Sequence, residues 1–292
     1  MKPTILIIGC GDIGITLGKQ LLDQGYHVIG ARRNAKALKG TGIKALSVDL
    51  DTLDSEDATA LPQADYVVYS VSADRFEESA YQRAYPEGLK RVLGVMRQHA
   101  KPPKRVFFVS STSVYGQQEG EVVNEDSPTE PSSFSGTLMC EAEQALIDHE
   151  LPGTVLRFSG IYGPGRDRLI RQVAEGRVAA VTPLLYSNRI HRDDCVGIIA
   201  HLIACDKNGD ALEPLYLASD CEPVSMHSVM TWLAEQLKVE VTDTMQSPLR
   251  RRASKRCDNT RIRETGYQFL YPTYREGYRQ VIKEGGYLLQ KV

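Results

Sequence analysis

Long apolar runs are missing from this 292-residue sequence. No window approaches the ~20 apolar residues that span a bilayer. The early apolar run, Ile5 to Ile8, is only four residues long, so no signal peptide is expected and the chain is expected in the cytoplasm. An excess of one charge is missing too. Its 35 Lys and Arg against 37 Asp and Glu leave a formal charge of −2, which carries no electrostatic footprint for a nucleic-acid or membrane partner. The six cysteines are scattered without a C-x-x-C pair. Metal binding is therefore not expected, and the thiols read as free in a reducing compartment. Internal repeats and low-complexity segments are absent as well. What remains is an ordinary globular composition, 42% apolar and 25% charged. Its length suits one large α/β domain or one domain with a smaller lobe.

The stretch Thr4-Ile-Leu-Ile-Ile-Gly-Cys-Gly-Asp-Ile-Gly14 organises the rest. Ile5 to Ile8 read as a strand buried on both faces, as a parallel sheet requires. Gly9, Gly11 and Gly14 follow as G-x-G-x-x-G, and Leu17, Leu21 and Leu22 continue at helical spacing. The first glycine permits a tight turn, the second lets backbone approach a pyrophosphate, and the third lets helix pack on strand. Around Asp12 and Ile13 the helix N-terminus presents N–H groups to the phosphates. A generic β–α turn is the competing reading. The position, directly after a buried strand and before an amphipathic helix, favours dinucleotide binding.

His27 to Ala31 reads as the second strand, whose end selects the cofactor. NAD-binding chains place an acid there for the ribose 2′-hydroxyl. Here the chain reads Ala31-Arg32-Arg33-Asn34. An arginine makes charge-assisted bonds to a 2′-phosphate that an acid would repel, so NADP(H) is expected, with NAD possible. A pair of solvated loop arginines is the alternative. Lys44 to Val48 reads as the third strand, ending at Asp49 as an adenine-contacting acid. Asp65 to Val71 is the fourth, with Ser70 to Ala73 turning over the cofactor. Residues 77–99 have helical composition, with Pro86 at a break or in a first turn. Arg105 to Val109 is the fifth strand. Strands alternating with helices predict a doubly wound parallel sheet.

Ser110-Ser-Thr-Ser-Val-Tyr-Gly116 resembles the Ser-Ser-x-x-Val-Tyr-Gly signature of extended short-chain dehydrogenases/reductases, the NAD-dependent epimerase/dehydratase family. Leu156-Arg-Phe-Ser-Gly-Ile-Tyr-Gly-Pro-Gly165 resembles that family's sixth strand and Tyr-Gly-Pro-Gly turn. Arg189-Ile-His-Arg-Asp-Asp194 resembles its return to the cofactor domain, and Asn259 to Tyr267 with Tyr271 to Gly277 its C-terminal ending. The resemblance covers essentially the whole chain. It implies a Rossmann-type sheet spanning 1–160, with 188–206 returning to it, and a smaller substrate lobe from 161–187 and 207–292. It also implies Ser110 as a cofactor contact and Ser111 as the hydroxyl that orients substrate.

The family's chemistry uses a Tyr about two dozen residues after that Ser, and a Lys four residues later on the same helical face. The Lys lowers the Tyr pKa so that the phenol can exchange a proton. Register taken from Glu141-Ala-Glu143-Gln-Ala-Leu146 puts Ser135 and Met139 at those positions, and no Tyr or Lys lies between Gly116 and Pro152. The chain thus resembles the atypical branch that keeps the cofactor fold without the Tyr–Lys pair. Tyr162, Tyr115 and His191 are the candidates for a replacement acid, each with a packed core residue as the competing reading. In the lobe, Arg166 and Arg168 and the basic run Arg250 to Arg256 are candidate anion sites for a small-molecule substrate such as a nucleotide sugar. The expected activity is that of an oxidoreductase or epimerase with a non-standard proton donor. A non-catalytic NADP(H)-binding sensor or scaffold is the alternative, and a homodimer is possible.

Overall fold

The computed structural model describes residues 2–245 and 254–287. Seven strands form its main sheet: β1 (Thr4–Ile8), β2 (His27–Arg32), β3 (Lys44–Ser47), β4 (Tyr66–Tyr69), β5 (Arg105–Ser111), β6 (Gly153–Phe158) and β7 (Leu215–Ala218). They lie in the order β7-β6-β5-β4-β1-β2-β3, and the ladders from β3 to β5 are parallel. Ile5 to Ile8 and Tyr66 to Tyr69 are buried, which is why both strands are continuous apolar runs rather than alternating ones. Strand order reverses between β1 and β4, the switch point where doubly wound sheets bind ligands beyond the strand C-termini. The fold is the Rossmann-type α/β architecture expected from the sequence.

Helices α1 (Asp12–Asp23), α2 (Gly88–Gln98), α3 (Phe134–Ile147) and α4 (Arg192–Asn208) serve the connections that position the site. Close packing of α1 falls mainly on a glycine outside the motif. A β-carbon at Gly18 would lie 2.5 Å from Ile43 Cδ1, whereas one at Gly14 would lie 3.0 Å from Ile7 Cγ2. Ahead of α2, Pro86 sits in a π-helical turn, Arg83–Glu87, following the short helix Glu78–Gln82. Wider winding there accommodates the missing proline N–H.

The chain divides into two compact units, one of residues 1–114, 131–157 and 196–216, the other of 115–130, 158–195 and 217–292. This differs from the division expected from sequence at residues 115–130, at residues 158–160 and in the returning segment. Residues 115–130 fall in the second unit, because the strand Glu121–Val123 pairs in parallel with Lys255–Cys257. The returning segment is 196–216 rather than 188–206, with Asp206 on α4 paired to Arg105 of β5 at 2.6 Å. The second unit has its own core, in which the helix Met226–Leu237 contributes Val229, Met230 and Leu233 and the helix Tyr274–Glu284 contributes Tyr278 and Val281. A capping box between Thr273 and Glu276 starts the latter helix. Asp194, buried, accepts from the Tyr267 hydroxyl at 2.9 Å and from the N–H groups of Leu270 and Tyr271. The motif residue Asp194 thereby holds the segment that leads into the C-terminal helix.

Candidate functional site

At the C-terminal end of β1, Gly9 adopts φ +79° and lies so close to the end of β4 that an added β-carbon would meet the Val71 N and Cα at 2.6 Å. Only glycine takes this conformation without strain at that approach. The Ser70 hydroxyl donates to Gly9 O at 3.2 Å and fastens the β4 turn to the loop. Gly11 is different. A β-carbon there would find only Gly9 O, at 3.8 Å, and the residue sits at φ −97° and ψ −141°. Packing within the protein therefore leaves room for a β-carbon at position 11. No side chain caps α1, and its first helical bond runs from Ile15 N–H to Gly11 O. The N–H groups of Asp12, Ile13 and Gly14 precede that bond and have no helical acceptor, in the arrangement that binds a phosphate.

The specificity end lies at the close of β2. Arg32 donates from Nη1 to Cys10 O at 3.1 Å, which ties the first arginine to the glycine loop. Arg33 is exposed, and its Nη2 reaches both carboxylate oxygens of Asp74. Asp49 is also exposed. Its carboxylate accepts the Asp51 N–H at 3.1 Å and caps a short 3-10 turn, Leu50–Thr52.

Ser110, expected among the cofactor contacts, turns its hydroxyl inward instead and donates to Glu143 Oε1 at 2.5 Å. Glu143 is buried and paired with Arg157, whose Nη2 lies 2.6 Å from Oε2. The reading of the Ser110 side chain is therefore corrected: its hydroxyl serves a buried ion pair. Ser111 Oγ accepts the Ser113 N–H at 3.2 Å and keeps its own hydrogen to donate. On α3, Ser135 and Met139 are 8% and 4% exposed. With Glu143 they form one stripe at i, i+4 and i+8, and the Ser135 hydroxyl is 3.0 Å from that of Ser133. No proton-transfer pair stands on this face.

The proposed substitutes lie in the second unit. Tyr162 is 4% exposed, and a β-carbon at Gly277 would overlap its hydroxyl. Its ring stacks on Tyr278 at 4.4 Å, and burial pushes the phenol pKa far up. A phenol sealed against a helix backbone is closed to a substrate in this conformation, which favours the core reading of Tyr162 over the catalytic one. His191 is fully buried. Nδ1 accepts the Asp193 N–H at 3.2 Å, so Nε2 carries the hydrogen and donates to Gln280 Oε1 at 3.2 Å. Burial lowers its pKa and keeps the ring neutral. The Tyr115 hydroxyl donates to Asn124 O at 2.7 Å. All three follow the core reading.

Arg166 and Arg168 are exposed, Arg168 opening the short helix Arg168–Ala174. Arg250 lies outside the described residues. The described end of its basic run does not form an open anion site: Lys255 is buried with Nζ 3.4 Å from Tyr115 O, and Arg256 Nε donates to Gly120 O at 2.8 Å. Among the described residues there is no group of three or more His, Cys, Asp or Glu placed to hold a metal, and no helix long and apolar enough to cross a membrane.

Asp220 is a feature the sequence did not announce. It is 1% exposed, with Oδ1 accepting the Glu222 N–H at 3.3 Å and Oδ2 without a partner among the described residues. Burial outweighs the opposing pull of Arg189 and pushes its pKa up to about 7. An acid whose pKa rises on folding holds its proton more tightly in the native state. Stability therefore falls as pH rises from the ordinary carboxylate value of about 3.9 to about 7, and is level above that. Asp220→Asn is expected to flatten this slope, which amounts to a few kcal/mol on the order of the pKa change. Urea unfolding at pH 5 and pH 8 measures it; an equal slope in the variant would count against the assignment.

Comparison with known proteins agrees with this geometry. Residues 5–211 match the family model of the NAD dependent epimerase/dehydratase family. Protein YeeZ of Escherichia coli (strain K12) is 28% identical over 284 residues, covering 92% of this chain and 96% of YeeZ. A Methylobacillus flagellatus structure described as an NAD-dependent epimerase/dehydratase is 35% identical with a TM-score of 0.80, covering 98% of this chain and 100% of that one. MoeE5 in complex with UDP-glucose and NAD shares the fold at 23% identity, with a TM-score of 0.78 and coverage of 98% and 100%. The chain belongs to the NAD dependent epimerase/dehydratase family.

Proposed function

We propose that the first unit binds NADP(H) in preference to NAD(H), and that the protein is an oxidoreductase or epimerase acting on a small hydroxyl- or carbonyl-bearing substrate without the family's usual Tyr–Lys relay. The observation that carries the reading is Gly11, where an added β-carbon would meet only Gly9 O at 3.8 Å, set against the uncapped N-terminus of α1. Gly9, Gly11 and the N–H groups of Asp12, Ile13 and Gly14 would hold the pyrophosphate, Asp49 the adenosine side, and Arg32 and Arg33 the 2′-phosphate. The nicotinamide, when bound, supplies hydride exchange. Ser111 orients a substrate oxygen through its free hydrogen. MoeE5, of the same fold, was solved with UDP-glucose and NAD, and a nucleotide sugar is the substrate class we propose, with Arg166 and Arg168 as its anion contacts.

A charged hydrogen bond to phosphate contributes ~1.5–3 kcal/mol, a roughly 10- to 100-fold preference. Fluorescence titration with NADPH and NADH tests it: NADPH is expected to bind tighter, with the advantage reduced in Arg33→Ala. Equal affinities in wild type would refute the NADP(H) assignment. The second reading, a cofactor-binding protein without turnover, is favoured by burial of Ser135, Met139 and Tyr162. Proton transfer by a positioned side chain is worth ~10²–10⁴-fold in rate, so turnover of common nucleotide sugars is expected to be slow. A substrate panel with wild type and Ser111→Ala separates the two readings. Turnover lost in Ser111→Ala supports the enzyme, and no turnover on any member supports the binding protein.

A further inference from the structure

The arginine expected to receive a 2′-phosphate already has an anion. Arg33 Nη2 lies 2.6 and 2.7 Å from the two carboxylate oxygens of Asp74. The side chains are 61% and 59% exposed. Asp74 is the main cause of a raised Arg33 pKa, with Asp49 and Asp51 adding to it. Asp74 is in turn lowered, chiefly by its bond to Arg33, with Arg75 and Arg83 contributing. Arg33 directly follows β2 and Asp74 lies on the turn after β4, and these two strands flank β1 on either side. The ion pair therefore joins the two sides of the glycine loop, at the end of β2 where a dinucleotide fold reads the adenosine ribose.

We propose that Asp74 is a specificity-determining residue for the cofactor, a carboxylate that competes with the 2′-phosphate of NADP(H) for Arg33 and holds the NADP(H) preference below what the arginine alone would give. The proposal rests on the reading of the first unit as a nicotinamide dinucleotide site. An exposed Arg–Asp pair is weak, and a phosphomonoester is a stronger bidentate partner for a guanidinium. The 2′-phosphate thus displaces Asp74, and part of its binding free energy goes into doing so. NAD(H) has no group that requires the displacement. Its ribose 2′-hydroxyl can donate to a carboxylate in this position, so Asp74 supplies the acid that the end of β2 lacks.

Isothermal titration of NADPH and NADH into wild type, Asp74→Asn, Arg33→Ala, the double variant and Glu78→Gln tests this. Glu78→Gln removes an exposed charge four residues along the chain from Asp74. Asp74→Asn is expected to tighten NADPH by roughly 2- to 10-fold, the range set by the strength of an exposed ion pair, and to leave NADH unchanged or weaker. The gain should disappear in the Arg33→Ala background and be absent in Glu78→Gln. An equal gain for both cofactors, a gain that survives loss of Arg33, or the same gain in Glu78→Gln would overturn the proposal in favour of a general field effect. Weaker NADPH binding in Asp74→Asn would overturn it too. If wild type binds neither cofactor while its melting curve shows a folded protein, the glycine-loop reading itself fails. That result is separate from equal responses in a protein that binds both.

Discussion

Gly11→Val is expected to leave the fold intact and to lower affinity for both NADPH and NADH by at least about 100-fold, or ~2.7 kcal/mol. An added β-carbon at Gly11 would meet only Gly9 O, at 3.8 Å. The folded protein therefore has room for a β-carbon at this position. A pyrophosphate seated on the first turn of α1 needs the same space, and a branched side chain would hold it away from the N–H groups of Asp12 and Ile13. Gly9→Val should fail for another reason. With φ +79° and the Val71 backbone 2.6 Å from the added carbon, the substitution strains the loop and should lower the melting temperature itself. Thermal melts and cofactor titrations on the two variants separate ligand space from fold space. Retained cofactor affinity in folded Gly11→Val would remove the pyrophosphate from this loop.

The second large effect concerns stability. Glu143→Ala is expected to destabilise the protein by about 3–5 kcal/mol, the range for removing one partner of a buried ion pair. Both side chains of the Glu143–Arg157 pair are nearly inaccessible, 4% and 7% exposed. The loss would leave the Arg157 charge without its carboxylate and the Ser110 hydroxyl without its acceptor. The penalty comes from a buried charge that has lost its carboxylate, so Glu143→Ala combined with Arg157→Met should recover much of it. Urea unfolding of the single and double variants gives the coupling. A Glu143→Ala cost below ~1 kcal/mol would show that the pair does not anchor α3 to β6.

These features differ in how far they could be read from sequence. The strand–glycine–helix unit is local, and the apolar run Ile5 to Ile8, the glycines and the helical leucines lie within 20 residues. Its pattern fixes the local conformation on which the proposed cofactor surface rests. The absence of a Tyr–Lys pair was equally legible, since it needs only register along α3. The Ser110–Glu143–Arg157 network was not, because its members are separated by 33 and 14 residues on three different elements. Tyr162 misled for a related reason. Its place after a strand suggested an active-site position, but Gly277, far along the chain, brings a helix backbone against its hydroxyl. The Arg33–Asp74 pair joins residues 41 apart. Sequence supplied the arginine, and only the sheet order, which sets β2 and β4 on either side of β1, supplied its partner.

The central claim is that this chain holds NADP(H) on the glycine loop and the end of β2. A crystal structure of the protein grown with NADPH tests it most directly. Pyrophosphate oxygens are expected on the N–H groups of Asp12 and Ile13, and the 2′-phosphate within hydrogen-bond distance of Arg33 with Asp74 displaced from it. A pyrophosphate bound away from the N-terminus of α1, or a 2′-phosphate with no contact to Arg32 or Arg33, would contradict it.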